Sequence, residues 1–125
     1  MFLISAKGAA FAEKLNAVEA DLILRKGTCA GRDSYSAFLE ADRQTRTGLA
    51  GWLTERGIRK VVICGLAADY CVSWTALDAV AAGFEVYVVT DGIRAIAPAL
   101  YEDAQTAWRS AGIRLTSTKE LFSAV

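Results

Sequence analysis

The chain has 125 residues, room for one domain of ordinary size, with fourteen Lys and Arg balanced by fourteen Asp and Glu. That balance argues against a nucleic acid or an anionic membrane surface held by bulk electrostatics, and 54% apolar against 22% charged residues exclude an intrinsically disordered chain. Histidine is absent, so a His-based triad, a His metal ligand and a His proton shuttle are excluded for this chain on its own, and a basic group near neutral pH has to be a lysine, a thiolate or a carboxylate.

In chain order, Met1-Phe2-Leu3-Ile4-Ser5-Ala6-Lys7 opens with a short apolar stretch, too brief for a signal-peptide core. No run in the sequence approaches the roughly 20 apolar residues of a membrane span. Asp21 to Arg25 reads as a short strand, and residues 27–44 as a polar loop. Thr47 is placed to cap a helix with Leu49, Trp52 and Leu53 on its apolar face. Lys60 to Gly65 is a continuous apolar run, the pattern of a strand buried on both faces. Asp69 reads as the N-cap of a helix reaching to Ala82, apolar almost all round and therefore buried on several sides. Phe84 to Val89 is the next strand. Pro98 suits the first turn of a helix carrying Leu100, Ala104, Ala107, Trp108 and Ala111 on one face. Ile113 to Thr116 is a last strand, and Lys119 to Phe122 a final helical turn.

Three of these elements meet at the same joint. A glycine follows a helical pattern and precedes an apolar strand at Arg56-Gly57-Ile58, Ala82-Gly83-Phe84 and Ala111-Gly112-Ile113, recurring after 26 and then 29 residues. A left-handed glycine just past a helix end is a common helix stop, and helix–glycine–strand at this spacing is the rhythm of an α/β fold with a parallel sheet. A single proline leaves no linker, so residues 1–125 read as one domain. Three cysteines, an odd number, do not make a disulfide framework and point to a reducing, cytoplasmic setting. The all-round apolar helix leads to the expectation of a homo-oligomer.

Chemistry in an open parallel sheet sits beyond the C-terminal ends of the strands. Lys26 closes the first strand there, and Cys71 follows the strand ending at Cys64 by one loop. In the first turn of a helix, unpaired N–H groups and the helix dipole favour a thiolate, as does a nearby ammonium. The small loop Gly65-Leu66-Ala67-Ala68 lets backbone N–H groups approach a substrate carbonyl, as an oxyanion hole requires. Each residue also has a plainer reading: Cys71 as a small buried hydrophobe, Lys26 as a surface lysine, Asp69 as a cap. Cys64 reads as core and Cys29 as an exposed bystander. Tyr35, Phe38 and Tyr70 either line a pocket or pack the loop.

Taken together, Arg25-Lys26-Gly27, Asp33-Ser34-Tyr35-Ser36-Ala37-Phe38, Gly65-Leu66-Ala67-Ala68-Asp69-Tyr70-Cys71-Val72 and Thr75-Ala76-Leu77-Asp78-Ala79 resemble the nicotinamidases of the isochorismatase-like cysteine hydrolases. The likeness runs from about Gly8 to Leu121 in matched order and spacing. It implies a six-stranded parallel sheet with helices on both faces, a three-layer Rossmann-like arrangement. It also implies deamidation of nicotinamide to nicotinate in pyridine-nucleotide salvage, with a small-molecule amide as partner and neither nucleic acid nor membrane.

Position by position, Cys71 resembles the nucleophile and Lys26 the triad lysine. The N–H groups of Ala67 and Cys71 resemble the oxyanion hole, Leu66-Ala67 matches a cis peptide, and Tyr35 and Tyr70 match positions flanking the substrate ring. The resemblance further implies a triad Asp near the chain start and a divalent metal such as zinc. Nothing before Gly8 matches the region that carries the Asp and the metal ligands, so the chain is expected to be the C-terminal two-thirds of the family domain, with no metal ligand of its own. Two other readings stand beside the nicotinamidase one: an impaired remnant serving as an assembly or small-molecule-binding module, and a family hydrolase for another small amide or an isochorismate-type ether.

Overall fold

The computed structural model describes residues 11–27 and 34–123. The expectations placed on Met1 to Ser5 and on Cys29 lie outside them. Helix α1 spans Leu49–Glu55 and leads into strand β1, Lys60–Leu66. A wide, π-type helical turn, Ala68–Val72, runs directly into α2, Ser73–Ala81. Strand β2, Glu85–Arg94, helix α3, Pro98–Ser110, strand β3, Arg114–Thr116, and helix α4, Thr118–Ser123, complete the order. The three strands pair in parallel in the order β1-β2-β3. This is the α/β architecture that the glycine joints predict, realised among the described residues as a three-stranded sheet.

The three joints share one geometry. Gly57, Gly83 and Gly112 have φ of 70°, 94° and 82°, the left-handed region in which a Cβ is strained. At each, the residue after the glycine donates its N–H to a helix carbonyl five positions back: Ile58 to Leu53, Phe84 to Ala79 and Ile113 to Trp108, at 2.9–3.0 Å. That bond closes a helix end and aims the chain back along the sheet. Ile58, Phe84 and Ile113 thereby start each return toward the core.

The core lies between the sheet and helices α2 and α3. Val86, Val88, Ala76, Ala79, Phe84, Ile113 and the fully buried Trp108 form it, with Val61 and Ile63 of β1 and Leu49 and Leu53 of α1 packed against it. Trp108 donates its indole N–H to Ser73 Oγ at 3.1 Å, tying α3 to the start of α2 without leaving a buried polar atom unpaired.

Several local expectations are corrected. Asp21 to Arg25 is no strand, because a strand needs a ladder partner and none lies beside it among the described residues. Strand β1 is not buried on both faces: it stands at the edge of the sheet among the described residues, its residues alternate, and Val62, Cys64 and Leu66 are exposed. Cys64 is therefore a surface thiol rather than core. Helix α2 buries Ser73, Ala76, Asp78 and Ala79, while Trp74 is 40% exposed. On α3, Ala104 and Trp108 are buried as expected, but Leu100 is exposed in the first turn. The cap of α1 is Gly48, with Thr47 assisting from one residue earlier by accepting the Leu49 N–H at 3.3 Å. No helix among the described residues is long and apolar enough to cross a membrane.

Candidate active site

The C-terminal end of β1 leads straight into the turn that carries Cys71. Gly65 has φ of 115°, the Leu66–Ala67 peptide is cis, and the Ala67 carbonyl then accepts the N–H groups of Tyr70 and Val72 at 3.1 and 3.0 Å. These bonds wind the wide turn on which Tyr70 and Cys71 sit side by side. Beside Cys64, β2 bulges away: Ile63 pairs with Val88 but Gly65 with Ile93. A Cβ on Gly92 would come within 3.2 Å of Cys64 Cβ, so a side chain at residue 92 would crowd the two strands at the bulge.

Lys26 reaches this turn from 45 residues away in sequence. Its Nζ donates to Cys71 Sγ at 3.2 Å and to the carbonyl of Ser34 at 2.6 Å. The ammonium thus bridges the thiol and the loop that carries Tyr35. The sulfur therefore has a hydrogen-bond donor fixed beside it. The Tyr35 and Tyr70 ring centroids are 5.8 Å apart, tilted at 39°, so two of the four residues singled out for the thiol's surroundings meet as an aromatic pair. The structure thus brings Lys26, Cys71, Tyr35 and Tyr70 together, and Ala67 opens the turn.

Asp69 does not cap its own helix. Its carboxylate accepts the N–H groups of Ile96, at 3.0 and 3.2 Å, and of Ala97, at 2.8 Å, and so ties the Cys71 turn to the residues preceding α3. Desolvation pulls its carboxyl upward, but these backbone donors outweigh that and hold it below the usual carboxylate range. Asp91 accepts the Thr118 N–H at 2.8 Å at the start of α4, and the Thr118 N–H and hydroxyl hold its carboxyl low as well. Both carboxylates are committed to backbone donors away from the sulfur.

The sequence reading missed Arg43, Asp78 and Trp74. Asp78 is a buried acidic residue on α2, paired with Arg43 through Nη1–Oδ2 and Nη2–Oδ1 bonds of 2.9 and 2.6 Å. The available signal was Asp78 itself, since a carboxylate one turn after a tryptophan on an apolar helix demands a partner cation.

The Isochorismatase domain model matches residues 2–120. The chain belongs to the isochorismatase family. This isochorismatase-family chain is 48% identical over 106 residues to a nicotinamidase of Acinetobacter baylyi, covering 82% of this chain and 49% of that protein. The solved structure of an Acinetobacter baumanii nicotinamidase pyrazinamidase superposes with a TM-score of 0.89 at 44% identity, covering 94% of this chain and 57% of that one. A pyrazinamidase of Pyrococcus horikoshii solved in complex with zinc gives a TM-score of 0.77 at 36% identity, covering 90% and 59%. The chain spans about half the length of the curated relative.

A zinc ion does not fit the residues of this isochorismatase-family chain that the structure describes. No group of three or more His, Cys, Asp or Glu gathers among them. Asp69 and Asp91 face backbone N–H groups, and Cys71 faces an ammonium, which repels a cation.

Proposed function

We propose that this chain carries the thiol centre of an amidohydrolase that converts nicotinamide to nicotinate. The observation that carries the reading is the 3.2 Å contact between Lys26 Nζ and Cys71 Sγ, made by two residues far apart in sequence and absent from any regular ladder. In this reading Cys71 sulfur attacks the amide carbonyl carbon, with the Lys26 ammonium supporting negative charge at the thiol. The N–H groups of Ala67 and Cys71 receive the oxyanion of the tetrahedral intermediate. The C–N bond then breaks, the nitrogen takes up the proton that the Cys71 thiol gives up and leaves as ammonia, and a Cys71 thioester remains. Water adds to the thioester carbonyl, the C–S bond breaks, and nicotinate and the free thiol result. Tyr35 and Tyr70 flank the pyridine ring.

The general base implied by the family resemblance is an Asp. No carboxylate of the described residues hydrogen-bonds Cys71, and Asp69 and Asp91 are held elsewhere. General-base help is worth about 10²–10⁴ in rate, so turnover by the chain alone is expected to be slow yet dependent on Cys71. The names of the relatives, a nicotinamidase and a nicotinamidase pyrazinamidase, support a six-membered heteroaromatic amide as substrate. The test is ammonia release from nicotinamide by the chain and by its Cys71→Ala variant. Release that disappears in the variant supports the reading. Release unchanged in the variant, or none above the blank from the folded chain, refutes it.

A further inference from the structure

Asp78 lies two turns beyond Cys71 on the same helical run, with its carboxylate almost wholly out of solvent. Arg43 neutralises it through two parallel hydrogen bonds, a geometry that fixes the plane of the guanidinium as well as its position. Trp74 stands one helical turn before Asp78, on the same side of α2. The clamped guanidinium therefore also covers Trp74, with Arg43 Cζ 4.5 Å from the ring centroid. Trp74 in turn stacks on Tyr35, centroids 6.4 Å apart and planes 23° from parallel, and Tyr35 meets Tyr70. The row Asp78–Arg43–Trp74–Tyr35–Tyr70 ends one residue before the thiol.

We propose that Arg43 and Asp78 are positioning residues for the Cys71 site, acting through Trp74, which forms the outer wall of an aromatic lane for the ring of the substrate. The proposal rests on the reading of Cys71 as the nucleophile for a heteroaromatic amide. Tyr35 and Trp74 are both partly exposed, and an exposed ring is free to swing unless something packs on it. The loop is already held without Arg43: the Ala37 N–H donates to Thr75 Oγ1 on α2 at 3.0 Å, and Thr47 Oγ1, just before α1, donates to the Ala37 carbonyl at 2.6 Å. What the Arg43–Asp78 clamp adds is a fixed planar lid over Trp74, and a lysine at position 43 cannot supply that plane.

The test uses the full chain and two alkylating probes, iodoacetamide and N-benzyl iodoacetamide, with adducts at Cys71 and at the surface Cys64 resolved by peptide mass spectrometry. The quantity read is the benzyl-to-plain rate ratio at each thiol, which cancels intrinsic sulfur reactivity. The ratio at Cys71 is expected to exceed that at Cys64 by about two- to tenfold, the scale of one or two aromatic contacts. In Trp74→Leu and in Arg43→Lys it falls toward the Cys64 value. Trp74 is partly exposed and Arg43→Lys keeps the charge, so both variants retain the fold, as circular dichroism checks. A Cys71 ratio no higher than that of Cys64, or one that survives both substitutions, overturns the proposal. Loosened structure changes both rates together and leaves the ratio intact, which also counts against it. Absence of ammonia release from nicotinamide would refute the proposed reaction while leaving this ratio to be read on its own.

Discussion

Replacing Arg43 and Asp78 one at a time has unequal costs, and the inequality follows from where each end of the pair sits. The Asp78 side chain is 8% exposed and that of Arg43 is 42% exposed. Arg43→Ala strands a carboxylate out of water. For a fully buried pair such a loss costs about 3–5 kcal/mol, and for an exposed pair about 1 kcal/mol or less. With one end reaching solvent, screening brings the expectation for Arg43→Ala to about 2 kcal/mol. Asp78→Ala leaves a guanidinium that turns into water, so its cost is about 1 kcal/mol.

The backbone adds a second handle. Arg43 has φ of 61°, a left-handed conformation that costs an L side chain about 1 kcal/mol and glycine nothing. Arg43→Gly is therefore expected to be about 1 kcal/mol less damaging than Arg43→Ala, although both remove the same guanidinium. Urea denaturation followed by tryptophan fluorescence, with m-values compared, reads all three variants. If Asp78→Ala proves costlier than Arg43→Ala, or glycine no better than alanine at 43, the reasoning from burial and backbone strain is wrong.

Lys26→Met removes the ammonium from Cys71 Sγ and is expected to slow iodoacetamide alkylation of Cys71 near neutral pH by about tenfold, with Cys64 as the unaffected reference; an unchanged rate would show that the contact does no work on the sulfur. Asp69 has a folded-state carboxyl pKa below its ordinary value, so its contribution to stability is complete above the ordinary carboxylate range and disappears as pH falls through the lowered value. The melting-temperature gap between the chain and Asp69→Asn should accordingly be larger at about pH 7 than at about pH 3, and a gap that widens in acid would contradict this. Ser73→Ala leaves the buried indole N–H of Trp108 without an acceptor, at about 1–3 kcal/mol, and the added loss from Trp108→Phe in that background should be smaller than in the wild-type chain.

The elements best read from sequence are those whose signal is local. Each glycine joint needs only a helix end and a positive φ, and Pro98 sits at the first turn of α3 because its missing N–H is not needed there. Lys26 and Cys71 were legible through motif order, although no local rule brings residues 45 positions apart into contact. What was not legible depends on neighbours. The apolar run of β1 is compatible with a central or an edge position, and strand order decides between them. Asp69 reads as a local cap, yet its carboxylate reaches 27 and 28 residues along the chain for its donors, as Asp91 reaches 27 for Thr118. The same side chain satisfies either role, so residue type alone cannot tell a cap for its own element from a tie to another.

The half-exposed face of β1 raises a question that a pair of isosteric substitutions answers. Val62 is 43% exposed on β1, whereas Val88, on the neighbouring strand, is fully buried. Thr replaces Val with nearly the same shape and a hydroxyl. At position 88 that hydroxyl is buried among apolar side chains, and the expected cost is about 1–3 kcal/mol. At position 62 the hydroxyl meets water, and the cost should stay within about 0.5 kcal/mol. If Val62→Thr costs as much as Val88→Thr, the β1 face is covered in solution, and light scattering on the same samples shows whether a second copy of the chain is what covers it. The Cys71 turn should be insensitive to either outcome, because its anchors, Asp69 to Ala97 and Ser73 to Trp108, lead to the α3 side of the sheet rather than to the open face of β1.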